Sequence, residues 1–440
     1  MKPPKSRMAK LAPNAMGGGK SHAETAARAE FKMTELGPIP VDWEVKRLGD
    51  VCSDYAYGTG AEAIYYDGEN KYIRITDIDE ESHLFSPAPL TSPSIFAEKH
   101  VVKDNDLLIA RTGASVGKSY FYSRRDGKLI FAGFLMKANV KSAEGKYVFY
   151  VTLTDSYKKW VLAESARSGQ PGINIRQLQD LLIPLPPLAE QRRIAGALSD
   201  VDELISALGK LIEKKHNIKT GTMQQLLTGK TRLPGFKGKW VEKPFCEFIS
   251  RFATGLNPRQ NFKLNSGGSN YYITIKDFKD GRLSFKDCDM VDDVALRLIN
   301  ERSDLRAGDL LFSSIGRVGD AYVIKDTPSN WNINESVFSL RPDAKQMNVD
   351  FLFYLVKSSA VQERLTSGIT GSTLTGIKIG ELRSIVCFYP NELAEQKAIA
   401  AVLSDMDAEI AALEADRAKY ESIKQGMMQE LLTGKTRLKP

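Results

Sequence analysis

"LAEQRRIAGALSDVDELISAL", Leu188–Leu208, returns with few changes as "LAEQKAIAAVLSDMDAEIAAL", Leu393–Leu413. The offset is 205 residues. The match continues without a gap through "MQQLLTGKTRL" (Met223–Leu233) and "MQELLTGKTRL" (Met428–Leu438), and 27 of 46 aligned positions are identical. Composition alone does not produce this, so the chain carries an internal duplication. In the first copy apolar residues fall at Ile194, Leu198, Val201, Ile205, Leu208 and Ile212. In the second they fall at Ile399, Leu403, Met406, Ile410 and Leu413. Steps of four and three predict one long helix per copy with a coiled-coil seam. Pro186 and Pro187 precede the first helix, and Gly229 and Gly434 mark the two C-terminal stops. A helix of about 39 residues is ~58 Å long. Gly221 and Gly426 sit at matched places inside the helices, either as a kink or close crossing or as an accident inherited at duplication.

Working outward, the repeat weakens but persists. Trp43 and Trp240 each open a domain. "YIRITDI" (Tyr72–Ile78) matches "YITIKDF" (Tyr272–Phe278), and both alternate as strands do. "NDLLIARTGASVGKSY" (Asn105–Tyr120) matches "GDLLFSSIGRVGDAYV" (Gly308–Val323), and "SGQPGINIRQL" (Ser168–Leu178) matches "GSTLTGIKIGEL" (Gly371–Leu382). The order is domain, helix, domain, helix. The expected boundaries are an N-terminal extension at 1–32, a first domain at 33–185, a helix at 186–233, a second domain at 234–390 and a second helix at 391–438. The helices stayed alike while the domains diverged, so the helices do one job twice and the domains do two versions of another.

Composition is that of an ordinary soluble protein, 42% hydrophobic and 26% charged over 440 residues, with no apolar run long enough for a membrane span. The first 32 residues, rich in Gly, Ala, Lys and Pro, carry no apolar signal-peptide core and are expected to be disordered. They hold +5 of the net charge of +7, so overall basicity says little about nucleic acid. Charge is segregated further in: residues 42–110 hold six basic and fourteen acidic residues, and residues 111–180 hold twelve and five. That basic stretch, with Tyr120, Tyr122, Arg124, Arg125, Lys137 and Lys141, is a candidate face for a phosphate backbone, or else a solvated surface. The four cysteines, Cys52, Cys246, Cys288 and Cys387, are scattered, which predicts small buried hydrophobes in a reducing cytoplasm rather than a zinc site.

Catalytic tools are scarce. "RTGASVGKS" (Arg111–Ser119) imitates a phosphate-binding loop, but Thr112 stands where the first glycine belongs, and the partner segment replaces Lys118 with Asp320. The four histidines lie in no metalloprotease or hydrolase setting. "DIDEE" (Asp77–Glu81) reads as an exposed loop rather than a cation site. Gly113, Gly117, Gly316 and Gly319 mark turns after apolar strands, either presenting amides to a phosphate or simply turning.

At "PPLAEQRRIAGALSDVD", "LLTGKTRL" and the Trp-led "IPVDWEVKRLGDV", the chain resembles the specificity subunits of type I restriction-modification systems, over residues 33–440. The resemblance implies an α+β protein in which two pseudo-two-fold-related α/β target recognition domains are separated by two long antiparallel helices forming a coiled coil. It implies that each domain reads one half of a bipartite site in double-stranded DNA. The helices would set the spacing and dock two modification (methyltransferase) subunits, with restriction (translocase/nuclease) subunits joining them. The subunit itself would be non-catalytic and need no cofactor, S-adenosylmethionine belonging to the methyltransferase and ATP/Mg to the restriction subunit. The other reading is a coiled-coil structural adaptor whose domains bind protein. Base-reading residues vary by design in such domains, so candidates come from residue type near the matched turns: Arg111, Lys118, Arg167, Gln170, Asn174 and Arg176, then Lys276, Arg317, Asn332, Asn334 and Lys378. Arg, Gln and Asn suit base edges, and Lys suits phosphates.

Overall fold

The computed structural model describes residues 30–166, 170–279, 281–367 and 376–439. Spatially the chain forms two units. One runs up to Glu203 and takes in Ser422–Pro440, and the other is Leu204–Glu421. The first is discontinuous, and neither contains a whole long helix. Each combines a domain, the start of one long helix and the end of the other.

In the first unit the main strands are β1 (Cys52–Tyr57), β2 (Lys71–Ile73), β3 (Asp106–Ala110), β4 (Ser119–Phe121), β5 (Leu129–Phe131) and β6 (Leu135–Val140). Four of them form an antiparallel sheet in the order β1-β6-β3-β4, while β2 and β5 pair in parallel beside it. The run "DLLIA" is apolar throughout because β3 is covered on both faces. Leu107 and Ile109 enter one core, and Leu108 and Ala110 enter another. Asp106, which opens this run, is 1% exposed. Its carboxylate accepts the Lys103 amide at 2.7 Å and lies 3.7 Å from the Lys137 ammonium.

The second unit repeats this topology with β7 (Ile249–Thr254), β8 (Asn270–Ile273), β9 (Leu310–Ser313), β10 (Ala321–Val323), β11 (Trp331–Ile333) and β12 (Val337–Pro342). Its sheet order is β7-β12-β9-β10, and β8 pairs in parallel with β11. Asp309 takes the place of Asp106: it accepts the Arg306 amide at 2.9 Å and the Arg341 guanidinium at 2.7 Å. Gly58 and Gly255, which follow β1 and β7, make one close approach twice. A Cβ at either would lie 2.1 Å from the Ala132 carbonyl oxygen or 1.6 Å from that of Ile333.

The expected helices are Leu188–Leu226 and Leu393–Leu431, each of 39 residues. Gly229 and Gly434 follow them at φ +70° and +71°, the left-handed conformation that ends a helix. Gly221 and Gly426 have open space where a Cβ would stand, so no close crossing requires them. Within each unit the helical segments run antiparallel. In the first, Glu190 pairs with Arg437 and Asp202 with Lys424. In the second, Lys215 pairs with Glu409, Lys219 with Asp407 and Arg232 with Glu395.

These pairs explain what the repeated motifs are for. Glu190 is 1% exposed and accepts two bonds from Arg437, at 2.8 and 2.7 Å, and one from the Trp43 indole at 3.3 Å. Glu395 is fully buried and accepts two bonds from Arg232, both 2.6 Å. The "AEQ" at the start of one helix is thus latched to the "TGKTRL" after the other, beside the tryptophan that opens the domain. Further along, Asp202 accepts from Tyr150 and Lys424, and Asp407 accepts from Tyr354 and Lys219. The helix seam joins the domain cores where Ile194 and Leu198 pack with Leu431 and Leu432, and Ile399 and Leu403 with Leu226 and Leu227, and Ile410 is buried further along it.

Several expectations need correction. The strand read at Tyr72–Ile78 ends at Ile73, because the Asp77 carboxylate caps the amide and guanidinium of Arg74 and closes a turn. Asp277 closes the matched turn on Thr274. The acidic "DIDEE" is not simply an exposed loop, since Asp77 is buried and Glu80 pairs with Lys118. Phe31 and Lys32 pair with Pro40 and Ile39 in a hairpin that spans the boundary expected at residue 33. The disorder expected of residues 1–29 falls outside the described residues. Cys52 and Cys387 are buried, and desolvation pushes each thiol up to about 12, but Cys246 is exposed. Among the described residues no helix is long and apolar enough to cross a membrane.

Candidate nucleic-acid interface

The stretch that imitates a phosphate-binding loop is the turn between β3 and β4. Gly113 and Gly117 hold φ near +84° and +85°, and Gly316 and Gly319 hold +68° and +90° in the matched turn between β9 and β10. Three of these four glycine amides are already committed: Gly117 donates to Ala110, Gly113 to Pro171 and Gly319 to Ser313. Those three turn the chain and are not offered to an anion. Lys118 points inward, with its side chain 6% exposed and its ammonium 2.7 Å from Glu80 and 3.3 Å from the Ile75 carbonyl. It cannot serve as a phosphate contact there, which corrects its candidacy. In the second unit Arg317 performs the same docking from a different position, donating to the Ile275 and Phe278 carbonyls at 3.3 Å while pairing with Asp320.

A second loop lies against each turn. Thr112 bridges Gly172, and Ile315 bridges Gly376. The Ile173 amide donates to the Arg111 carbonyl at 2.9 Å, and the Ile377 amide to Ser314 at 2.8 Å. A short helix then follows in each unit, Ile175–Asp180 and Ile379–Ser384. The first is capped by Asn174, whose side chain accepts from the Gln177 amide, and Lys378 occupies the matched cap.

This edge brings together Arg111, Gln170, Asn174 and Arg176 in the first domain. Gln170, Asn174 and Arg176 are exposed, and Arg111 is half-buried. In the second domain Arg317 and Lys378 lie at the corresponding turn and loop. Lys276 is exposed and pairs with Asp289 at 3.5 Å. Asn334 is half-buried, its side chain accepting the Ser336 amide at 3.1 Å. Asn332 is 1% exposed and its oxygen accepts from Ser303 at 2.7 Å, so it is a core residue and leaves the candidate set. Arg167 lies outside the described residues.

The charge segregation of the first domain has an internal cause. Lys118, Arg124, Lys128, Lys137 and Lys141 of the basic half pair with Glu80, Asp104, Glu69, Asp106 and Asp54 of the acidic half. Tyr120 is 1% exposed and donates to Asp126, and burial pushes its phenol far above the usual range. The basic stretch read as a DNA-tracking face therefore largely neutralises its own domain. Two residues of the edge were missed in the sequence: Tyr57, at the end of β1, and Phe134, between β5 and β6. Phe134 is 66% exposed. An aromatic beside a glycine between two apolar runs was the available signal for Phe134; Tyr57 had none.

The chain matches the Type I restriction modification DNA specificity domain twice, over residues 40–217 and 239–425. It is 25% identical to the type I restriction enzyme MjaVIII specificity subunit of Methanocaldococcus jannaschii over 431 residues, covering 91% of this chain and 94% of that one. It is 26% identical to the putative MjaX specificity subunit of the same organism over 436 residues, covering 93% and 97%. In fold it is similar to the type I restriction-modification S subunit from M. genitalium, with a TM-score of 0.58, 16% identity and coverage of 88% and 96%. Two family matches that take in both domains and most of both long helices identify the chain as a member of the type I restriction-modification DNA specificity family.

Proposed function

We propose that this chain is the non-catalytic DNA sequence-recognition subunit of a type I restriction-modification complex. The observation that carries this reading is a repeated scaffold with divergent edges: two units of one topology with matched helix latches, whose turn-and-loop edges carry different side chains. Each domain reads one half of a split, asymmetric site in double-stranded DNA. Arg111, Gln170, Asn174 and Arg176, with Arg167, make the contacts of the first, and Lys276, Arg317, Asn334 and Lys378 those of the second. The paired helices set the spacing between half-sites and offer matched docking places to two methyltransferase subunits, to which restriction subunits are added. S-adenosylmethionine and ATP with Mg act in those partners, in the cytoplasm.

The test is to map methylated bases in host DNA with and without the gene. Loss of a split, asymmetric motif is the expected result. Loss of a continuous motif contradicts the two-domain arrangement, and an unchanged methylation pattern refutes the function.

A further inference from the structure

Backbone pairing places three residues of the first unit in register with three of the second. Tyr57 lies opposite Met136 as Thr254 lies opposite Phe338. The Arg111 amide donates to the Phe134 carbonyl at 2.9 Å as the Ser314 amide donates to Ser336 at 3.0 Å. The frame is shared and the side chains are not. In the first unit the Arg111 guanidinium carbon sits 4.6 Å from the centre of the Tyr57 ring, and Phe134, whose backbone Arg111 bonds, is exposed. In the second, Ser314 is 4% exposed and its hydroxyl donates to the Ser336 carbonyl at 2.8 Å.

Arg111 differs from five other cations of its half-domain. Lys118, Arg124, Lys128, Lys137 and Lys141 each face a carboxylate, whereas Arg111 pairs with none among the described residues. Its Nε is buried without a hydrogen-bond partner, so the donors left for a ligand are the terminal nitrogens. Its main chain is held on both sides, by Phe134 and by Ile173, and the Tyr57 hydroxyl accepts the Ile175 amide at 3.3 Å. The result is a guanidinium seated over an aromatic ring, on a backbone already held, before any ligand arrives, which lowers the ordering cost of binding.

We infer that Arg111, stacked on Tyr57 beside Phe134, is a specificity-determining residue that reads a guanine in the half-site of the first domain, and that the second domain has no counterpart. A planar fork of two terminal nitrogens fits the O6 and N7 acceptors of guanine in the major groove, the commonest specific arginine contact. The inference rests on the recognition reading above and adds the residue, the base and the half-site.

The test is selection of bound sequences from a pool of randomised duplexes by the full chain, wild type and variants. Wild type yields a split motif. Arg111→Ala relaxes one guanine position in one half, with discrimination falling roughly 10- to 100-fold, and leaves the other half unchanged. Arg111→Lys does not restore that position, because a point charge lacks the fork. Tyr57→Leu keeps the charge, removes the platform and relaxes the same position. An unchanged Arg111→Ala motif overturns the inference. So does an even loss across all sequences with the salt slope reduced by about one, the mark of a phosphate contact. Should Arg111→Ala fail to fold, Tyr57→Leu decides: relaxation at any other position, or at none, overturns the inference. A wild-type chain that selects no motif refutes the recognition reading itself.

Discussion

Replacing Arg437 with alanine should destabilise the first unit and spare the second. Glu190 has a side chain only 2% exposed, and Arg437 one only 11% exposed. Arg437 supplies two of the donors to that carboxylate, and Leu438 and Trp43 supply the others at 3.2 and 3.3 Å. Without the guanidinium a buried carboxylate keeps only two neutral donors. Breaking one side of a buried pair costs about 3–5 kcal/mol, chiefly the desolvation of the charge left behind. With a urea slope of about 2–3 kcal/mol per molar, the unfolding midpoint should fall by about 1–2 M. Urea titration followed by tryptophan fluorescence is the assay, because the guanidinium carbon lies 5.6 Å from the Trp43 ring. Glu190→Gln combined with Arg437→Gln should recover much of the loss by removing the stranded charge. A loss below about 1 kcal/mol for Arg437→Ala would refute the latch, placing it with ordinary surface pairs.

Other expectations follow from the same geometry. Asp42 also accepts from Arg437, and this bond holds its carboxyl at about 2 against an ordinary 3.8. Its contribution is complete above about pH 4 and is lost as pH falls through about 2; Asp42→Asn should flatten the acid limb of a stability–pH curve for the first unit over that window. Gly58→Ala and Gly255→Ala each drive a methyl into a carbonyl, and thermal melting should show a loss of about 3 kcal/mol in the unit concerned. Asp407→Asn removes an acceptor from Tyr354 and Lys219. That pair is partly exposed, so urea titration should register a loss of only about 1 kcal/mol. Arg176→Ala should weaken DNA binding evenly across sequences and lower the log–log salt slope by about one, measured by titration at several salt concentrations.

What could be read from the sequence was whatever is local or repeated. The helices, their glycine stops and the domain order lie in short-range patterns, and the duplication supplied a second copy of each. The purpose of "AEQ" and "TGKTRL" stayed hidden because their partners are 247 residues apart in one unit and 163 in the other. Two site candidates, Lys118 and Asn332, fell for the same reason. Nothing near Lys118 shows that Glu80 waits 38 residues upstream. Asn332 looks available until β11 turns it toward Ser303. Charge counting along the chain misled most, because opposite halves of one domain are the groups most free to neutralise each other on folding. Arg111 survived as a candidate on residue type alone; its seat over the Tyr57 ring exists only in three dimensions.

The way each unit borrows the end of the other helix has a consequence for synthesis. The core of the first unit contains Leu431 and Leu432, and Leu438 packs against it. A ribosome that has finished the first domain has made none of these. The second unit finds Leu226 and Leu227 already waiting, and closes once Ile399 and Leu403 emerge. The domain translated first is therefore sealed last, after a delay on the order of ten seconds or more at about 5–20 residues per second. Throughout that interval Ile194 and Leu198 present an open apolar floor. The segment that fits it is already at hand in near-duplicate, because Leu226, Leu227 and Arg232 of a neighbouring nascent chain match Leu431, Leu432 and Arg437. Crowded polysomes, rather than the finished protein, are where this architecture is exposed to exchange between chains.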